Sequence, residues 1–181
     1  MKKKLVLIVT LAALMTVGAA GNLFAESPVH PGGWGIGAIW GSDVGGERGY
    51  RSTNNLAFSL KIPDVPIFWA LDLSVTSDWT RIGVQGDYYL AGGFFVSDIL
   101  GWFLGIGFYG NFMFGNDIGA VGFGARLPIG LTFQPIDILE VFLNIAPRLG
   151  GTFWTTGHHD GFRFPDDRGF FGFELGLRLW F

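Results

Sequence analysis

Along most of the chain a large apolar residue stands at every second position. The last stretch shows the pattern most plainly: Phe171, Phe173, Leu175, Leu177, Leu179 and Phe181 alternate with Gly172, Glu174, Gly176, Arg178 and Trp180. A period of two over this length marks a strand whose two faces meet different surroundings. Seven earlier segments follow the same rule: 34–40, 56–62, 67–75, 82–90, 102–114, 121–133 and 139–145. In each, one face carries Leu, Ile, Val, Phe or Trp, and the other mixes glycine with small polar and charged residues.

The links between these segments alternate in kind. Pro63–Pro66 and Gln134–Asp137 are short and rich in turn formers, with a looser link over Ala91–Asp98. The intervening links are Ser42–Asn55, Ser77–Thr80, Gly115–Gly119 and Gly150–Arg168, two of them long and polar. Short turns at one end and longer loops at the other predict an antiparallel up-and-down meander of eight strands.

Composition decides what surrounds the meander. Of 181 residues, 49% are hydrophobic, 17% aromatic and only 15% charged, and 30 are glycine. That is too apolar for an ordinary soluble domain, yet no stretch after residue 25 supplies the roughly 20 consecutive apolar residues of a spanning helix. Residues 1–25 read separately. Lys2, Lys3 and Lys4 precede the apolar run LVLIVTLAALMTV, and small residues lead to Ala25 before Glu26, the pattern of a cleaved secretory signal. Residues 26–181 are then one barrel domain. Without the three signal lysines the chain has 9 basic and 15 acidic residues, a net charge of −6, which argues against a nucleic-acid partner. No cysteine is present, so no disulfide framework or lipid-anchored thiol is expected.

A barrel with its apolar face inward fails on volume, because an eight-stranded barrel encloses only a modest filling of side chains. Reversed, the glycines, polar groups and charges fill the lumen and the large residues face lipid. Closure also satisfies every backbone hydrogen bond, which lipid demands. The fold expected is therefore all-β, an eight-stranded transmembrane barrel, with Leu73 in mid-bilayer and Asp72 in the lumen. Trp34, Trp69, Trp102, Phe133, Trp180 and Phe181 lie near strand ends and are expected in interfacial aromatic girdles. The lumen face collects Lys61, Asp72, Arg81, Asp87, Arg126, Glu140, Arg148, Glu174 and Arg178, five bases against four acids. Buried charges must pair, so the set is expected to be a structural plug, with a polar ion path as the alternative. Pairing Leu149 near Gly169 would bring Glu140 opposite Arg178.

Other motifs give way to simpler readings. Gly105, Gly107 and Gly110 match a dinucleotide fingerprint literally, but that motif needs a turn opening a helix, and here the glycines alternate inside a strand. His158, His159 and Asp160, with Asp166 and Asp167, lack the ordered spacing of a metal site. A Ser–His–carboxylate enzyme on a barrel rim would need a histidine beside Ser42 or Ser77, and His30, His158 and His159 all lie off the strands. No catalytic, metal or cofactor residues are expected.

The closing strand, with Leu175, Leu177, Leu179 and terminal Phe181, resembles the sorting signal of bacterial outer-membrane barrels. The layout is similar to the small eight-stranded barrels typified by OmpX, OmpW and the OmpA membrane domain. GWFLGIGFYGNFMFG (101–115) and GARLPIGLTFQPIDILEVFLNIAPRLG (124–150) resemble a family of small spirochaetal outer-membrane barrels, a likeness running over roughly residues 56–150 and the last strand. The resemblance implies a cell outer-membrane location, lipid as surroundings and recognition of the strand ending at Phe181 by the barrel-assembly machinery. It carries no catalytic motif. The function expected is a monomeric, non-enzymatic surface barrel, structural or ligand-binding through loops 42–55 and 150–168. The alternative is a narrow OmpW-like channel for small or hydrophobic solutes.

Overall fold

The computed structural model describes residues 33–44, 54–96, 98–115, 118–155, 161–164 and 171–181. The expected secretory leader, residues 1–25, and all three histidines lie outside them. The described residues form one antiparallel sheet: β1 (Gly35–Val44), β2 (Asn54–Lys61), β3 (Ile67–Val75), β4 (Trp79–Val96), β5 (Leu100–Gly115), β6 (Ile118–Arg126), β7 (Ile129–Ile136), β8 (Leu139–Trp154), β9 (Gly161–Arg163) and β10 (Phe171–Trp180). Each strand pairs with its neighbours in turn, and β10 closes the ring by pairing with both β1 and β8. The protein is an eight-stranded antiparallel β-barrel.

Ten segments make eight walls for two reasons. Across their junction β6 and β7 keep one register with β5 on one side and β8 on the other, and a shift follows only at Phe133/Ile136. Their separation at Leu127–Pro128 reflects a proline, which has no amide hydrogen to donate. Neighbouring backbone bonds bridge the gap, from Gly105 N to Pro128 O at 2.8 Å and from Leu127 N to Pro147 O at 2.9 Å. β9 is a short extra strand on the upper part of β8.

Following partners from Phe68 leads one way through Lys61 and Gly35 to Trp180. The other way leads through Asp87, Gly107 and Arg126 to Arg148, next to Pro147, whose partner Phe171 lies nine residues before Trp180 on β10. The strands are therefore staggered and tilted, as closure requires. The seam is sealed beyond the strands by Trp34 N to Phe181 O at 3.1 Å and Phe181 N to Trp34 O at 2.8 Å.

The faces follow the sequence period. β10 alternates exposed and buried without a break, and on β3 Leu73 is 50% exposed while Asp72 is 4% exposed. Inward glycines make room: a Cβ at Gly105 would stand 2.8 Å from Tyr88 O, 2.9 Å from a Tyr89 ring carbon and 3.0 Å from Pro128. That crowding explains the glycine alternation which mimics a nucleotide motif.

Several link boundaries differ from those expected. Ser42, Asp43, Asn54 and Asn55 belong to β1 and β2 rather than to a loop. β4 continues through Ala91–Val96, absorbing the irregular sequence in register shifts at Tyr89/Ala91 and Phe94/Val96, the usual effect of bulges. The 77–80 link is tight, because Thr76 N donates to Trp79 O at 3.0 Å and Trp79 N to Thr76 Oγ1 at 3.2 Å. The link expected over 150–168 contains the end of β8 and all of β9. Trp154, which falls within that expected link, is buried against Met113 and Ala120.

Candidate functional site: the packed lumen

Two layers fill the barrel. Nearest the short turns, Ile39, Ala57, Phe68, Ala70, Tyr89, Phe103, Phe142 and Trp180 form an apolar cluster. Within it Arg178 Nη1 contacts Glu140 Oε2 at 2.8 Å, the two residues standing directly opposite on β10 and β8, the register the sequence suggested. The pair is boxed in. The Arg178 guanidinium lies 4.7 Å from the Phe68 ring centre, 4.8 Å from that of Phe142 and 5.5 Å from that of Trp180. Glu140 also accepts from Thr132 Oγ1 at 3.0 Å and from Trp180 Nε1 at 3.0 Å. Trp180 was expected in an aromatic girdle; it is 3% exposed and lies inside. Its even number puts it on the lumen face with Arg178, and its indole N–H needs the acceptor that Glu140 provides.

Above this layer runs an alternating chain of charges. Arg126 is bidentate on Glu174, with Nη1 to Oε1 at 2.8 Å and Nη2 to Oε2 at 2.7 Å, and its Nε lies 3.1 Å from Asp87 Oδ1. Glu174 is shared with Arg148 Nη2 at 3.3 Å and accepts from Asn144 Nδ2 at 3.1 Å. Arg148 in turn pairs with Asp43. Asp43 also meets Arg81 Nη2 at 3.1 Å, and Arg81 Nε lies 3.7 Å from Asp72 Oδ1. Seven side chains from Asp72 to Asp87 are thus linked, and all seven are buried. Lys61 lies at the turn end, half-buried, with Nζ donating to Ile62 O at 2.9 Å and lying 5.5 Å from the Phe68 ring centre.

Sequence reasoning missed Asp43, because it was assigned to the loop after Trp40. Its signal was the inward run Gly35, Gly37, Ile39, Gly41, continued to one more odd position. The omission matters: with Asp43 the inward face carries five acids against five bases, where the nine residues chosen from sequence left one base unmatched. Gln85 is a second polar member, held between Arg126 and Glu174.

Between the layers lies a cavity of about 10 Å³ lined by residues that include Ser59, Phe68, Asp87, Asn144, Glu174 and Arg178. That is room for about one water molecule. Toward the loops Met113, Ala120 and Trp154 add a smaller apolar cluster, packed against Trp79. Among the described residues no group of three or more His, Asp or Glu is arranged to hold a metal ion.

Comparisons with known proteins bear on the family. A model of a protein family described as a protein of unknown function, DUF3996, matches residues 64–175. No curated protein matches. Among solved structures the chain is similar to Neisserial surface protein A, at 15% identity and a TM-score of 0.46, over 82% of this chain and 96% of that one.

Proposed function

The chain belongs to the DUF3996 family, and we propose that it is a bacterial outer-membrane barrel that displays its longer loops at the cell surface and does not itself conduct or catalyse. One observation carries the reading. Ten charged side chains lie on the inward face, whereas the outward positions of the eight walls, among the described residues, carry none. Water would reverse that arrangement; lipid requires it. The secretory leader and the resemblance to small outer-membrane barrels, the spirochaetal ones included, support the same location. Phe181 seals the ring through its backbone while its side chain stays exposed on the outer face. The paired and packed lumen weighs against a conduit. A monomer meets every demand of closure, and the outer belt needs no protein partner beyond lipid.

Display has a direct test. An epitope inserted between residues 45 and 53 is expected to be labelled by antibody on intact cells, whereas the same epitope in the Pro63–Pro66 turn requires a permeabilised outer membrane. Labelling of the turn insertion on intact cells would invert the assigned orientation, and labelling of neither would remove the surface reading.

A further inference from the structure

The outer apolar face does not end where the shorter strands end. Among the described residues β8 pairs with β10 as far as Pro147–Phe171, and β8 itself continues seven residues to Trp154. There it is flanked by β6 on one side and β9 on the other. The rung from Arg81 through Met113 and Ala120 to Trp154 climbs with the tilt of the strands, so these residues stand above the turn between β3 and β4. This arm is aromatic outside. Phe123, Phe153 and Phe162 form a row across three strands, with ring centres 6.1 Å and 4.7 Å apart. Phe153 is 46% and Phe162 53% exposed, and Phe112, Phe114 and Phe164 are exposed beside or beyond them. The row is not overflow from the core, because the inward side of the same strands is already filled by Met113, Ala120 and Trp154.

We propose that this aromatic arm is seated in the lipid of the outer leaflet, making the membrane-embedded belt taller on the β5–β6–β8–β9 side than at the turn between β3 and β4. The proposal rests on the outer-membrane reading above. Continuity argues for lipid as the occupant. From Leu100 to Phe114 on β5, from Phe133 to Val121 on β7 and β6, and from Val141 to Phe153 on β8, no outward position is charged. A face made for a protein partner above the membrane would be set off from the belt by polar residues at the headgroup level, and no such break occurs. Phenyl rings concentrated at one end of a belt also suit the boundary between acyl chains and headgroups. The barrel then meets its bilayer lopsidedly, either leaning toward the tall side or gathering a thicker leaflet around it.

The absence of cysteine makes single-cysteine nitroxide labelling clean. Labels at F153C and F162C would be compared with labels at L73C in the belt and D64C in the exposed turn. The protein is refolded into phosphatidylethanolamine/phosphatidylglycerol liposomes, with folding checked for each variant by heat-modifiable gel migration. Collision with oxygen is expected to exceed collision with a water-soluble nickel chelate at Phe153, Phe162 and Leu73, and the order to reverse at Asp64. Nickel-dominated labels at both Phe153 and Phe162, with Leu73 still oxygen-dominated, would overturn the lipid seat and leave the arm as a face for a protein. A nickel-dominated Leu73 would instead bring down the outer-membrane reading and the inference with it.

Discussion

Among the described residues β1, β2, β3 and β10 run for ten, eight, nine and ten residues, whereas β4, β5 and β8 run for 18, 16 and 16. The first group makes a short wall whose length matches the 9–11 residues of a tilted membrane strand. The second, with β6 and β7, makes a wall that overshoots. The two also differ in charge. Arg81, Arg126 and Arg148 project from the tall wall, while Asp43, Asp72 and Glu174 project from the short one. Asp87 is the acid that the tall wall keeps for itself, and at the turn end the polarity reverses, with Glu140 on β8 and Arg178 on β10. Unequal walls are thus clasped across the lumen by ion pairs as well as joined at their seams by backbone bonds. The lumen charges act as fasteners between two differently built halves.

The largest effects should come from undoing a clasp. Arg126→Gln leaves Glu174 with one fewer cation and Asp87 facing a neutral amide. Loss of one partner of a buried pair costs about 3–5 kcal/mol, and urea unfolding in liposomes should register a loss of that order. Glu140→Gln and Arg178→Gln should each destabilise comparably, and the double mutant should recover part of the sum. Strict additivity would mean that the pair does not join the walls.

Next in size are charges placed on the outer face, where the walls should respond differently. Leu73→Arg, on the short wall, should cost roughly 2–4 kcal/mol in lipid, and Phe153→Arg, at the tall wall's tip, about 0–1 kcal/mol, following the fall of the penalty from midplane to interface. Equal penalties at the two positions would erase the distinction in depth. Smallest is the connection at the short wall's top: replacing 45–53 with a brief Gly-Ser turn should leave folding within about 1 kcal/mol, since closure cost changes slowly with loop length.

Much of this was legible in the sequence because strand period, barrel closure and lipid all demand the same thing of each residue. Position parity put Leu73 outside and Asp72 inside, and the register of Leu149 near Gly169 added Arg178 opposite Glu140. Where the sequence misled, a local signal was outweighed by a neighbour. Asp43 sits among polar, glycine-rich residues that look like a loop, but pairing with β2 and β10 carries the strand through it. Trp180 looks like a girdle residue by type and position, yet parity and the buried carboxylate of Glu140 draw it in. The height of the tall wall was hidden for the same reason, since Gly150, Gly151 and Thr152 read as turn formers until β6 and β9 are seen to hold them extended. That Arg126 answers Glu174, and Arg81 and Arg148 answer Asp43, was not legible either, because those pairs form between strands that are not neighbours.

The central claim is that the clasped charges and the aromatic cluster shut the barrel, so that its function lies in what it displays. Single-channel recording of the refolded wild-type protein in a planar bilayer tests it most directly. The account predicts a baseline indistinguishable from bare lipid, in moderate and in high salt. Steady unitary conductance from protein shown to be folded would contradict it, and would mean that the ion-paired lumen is a path and not a plug.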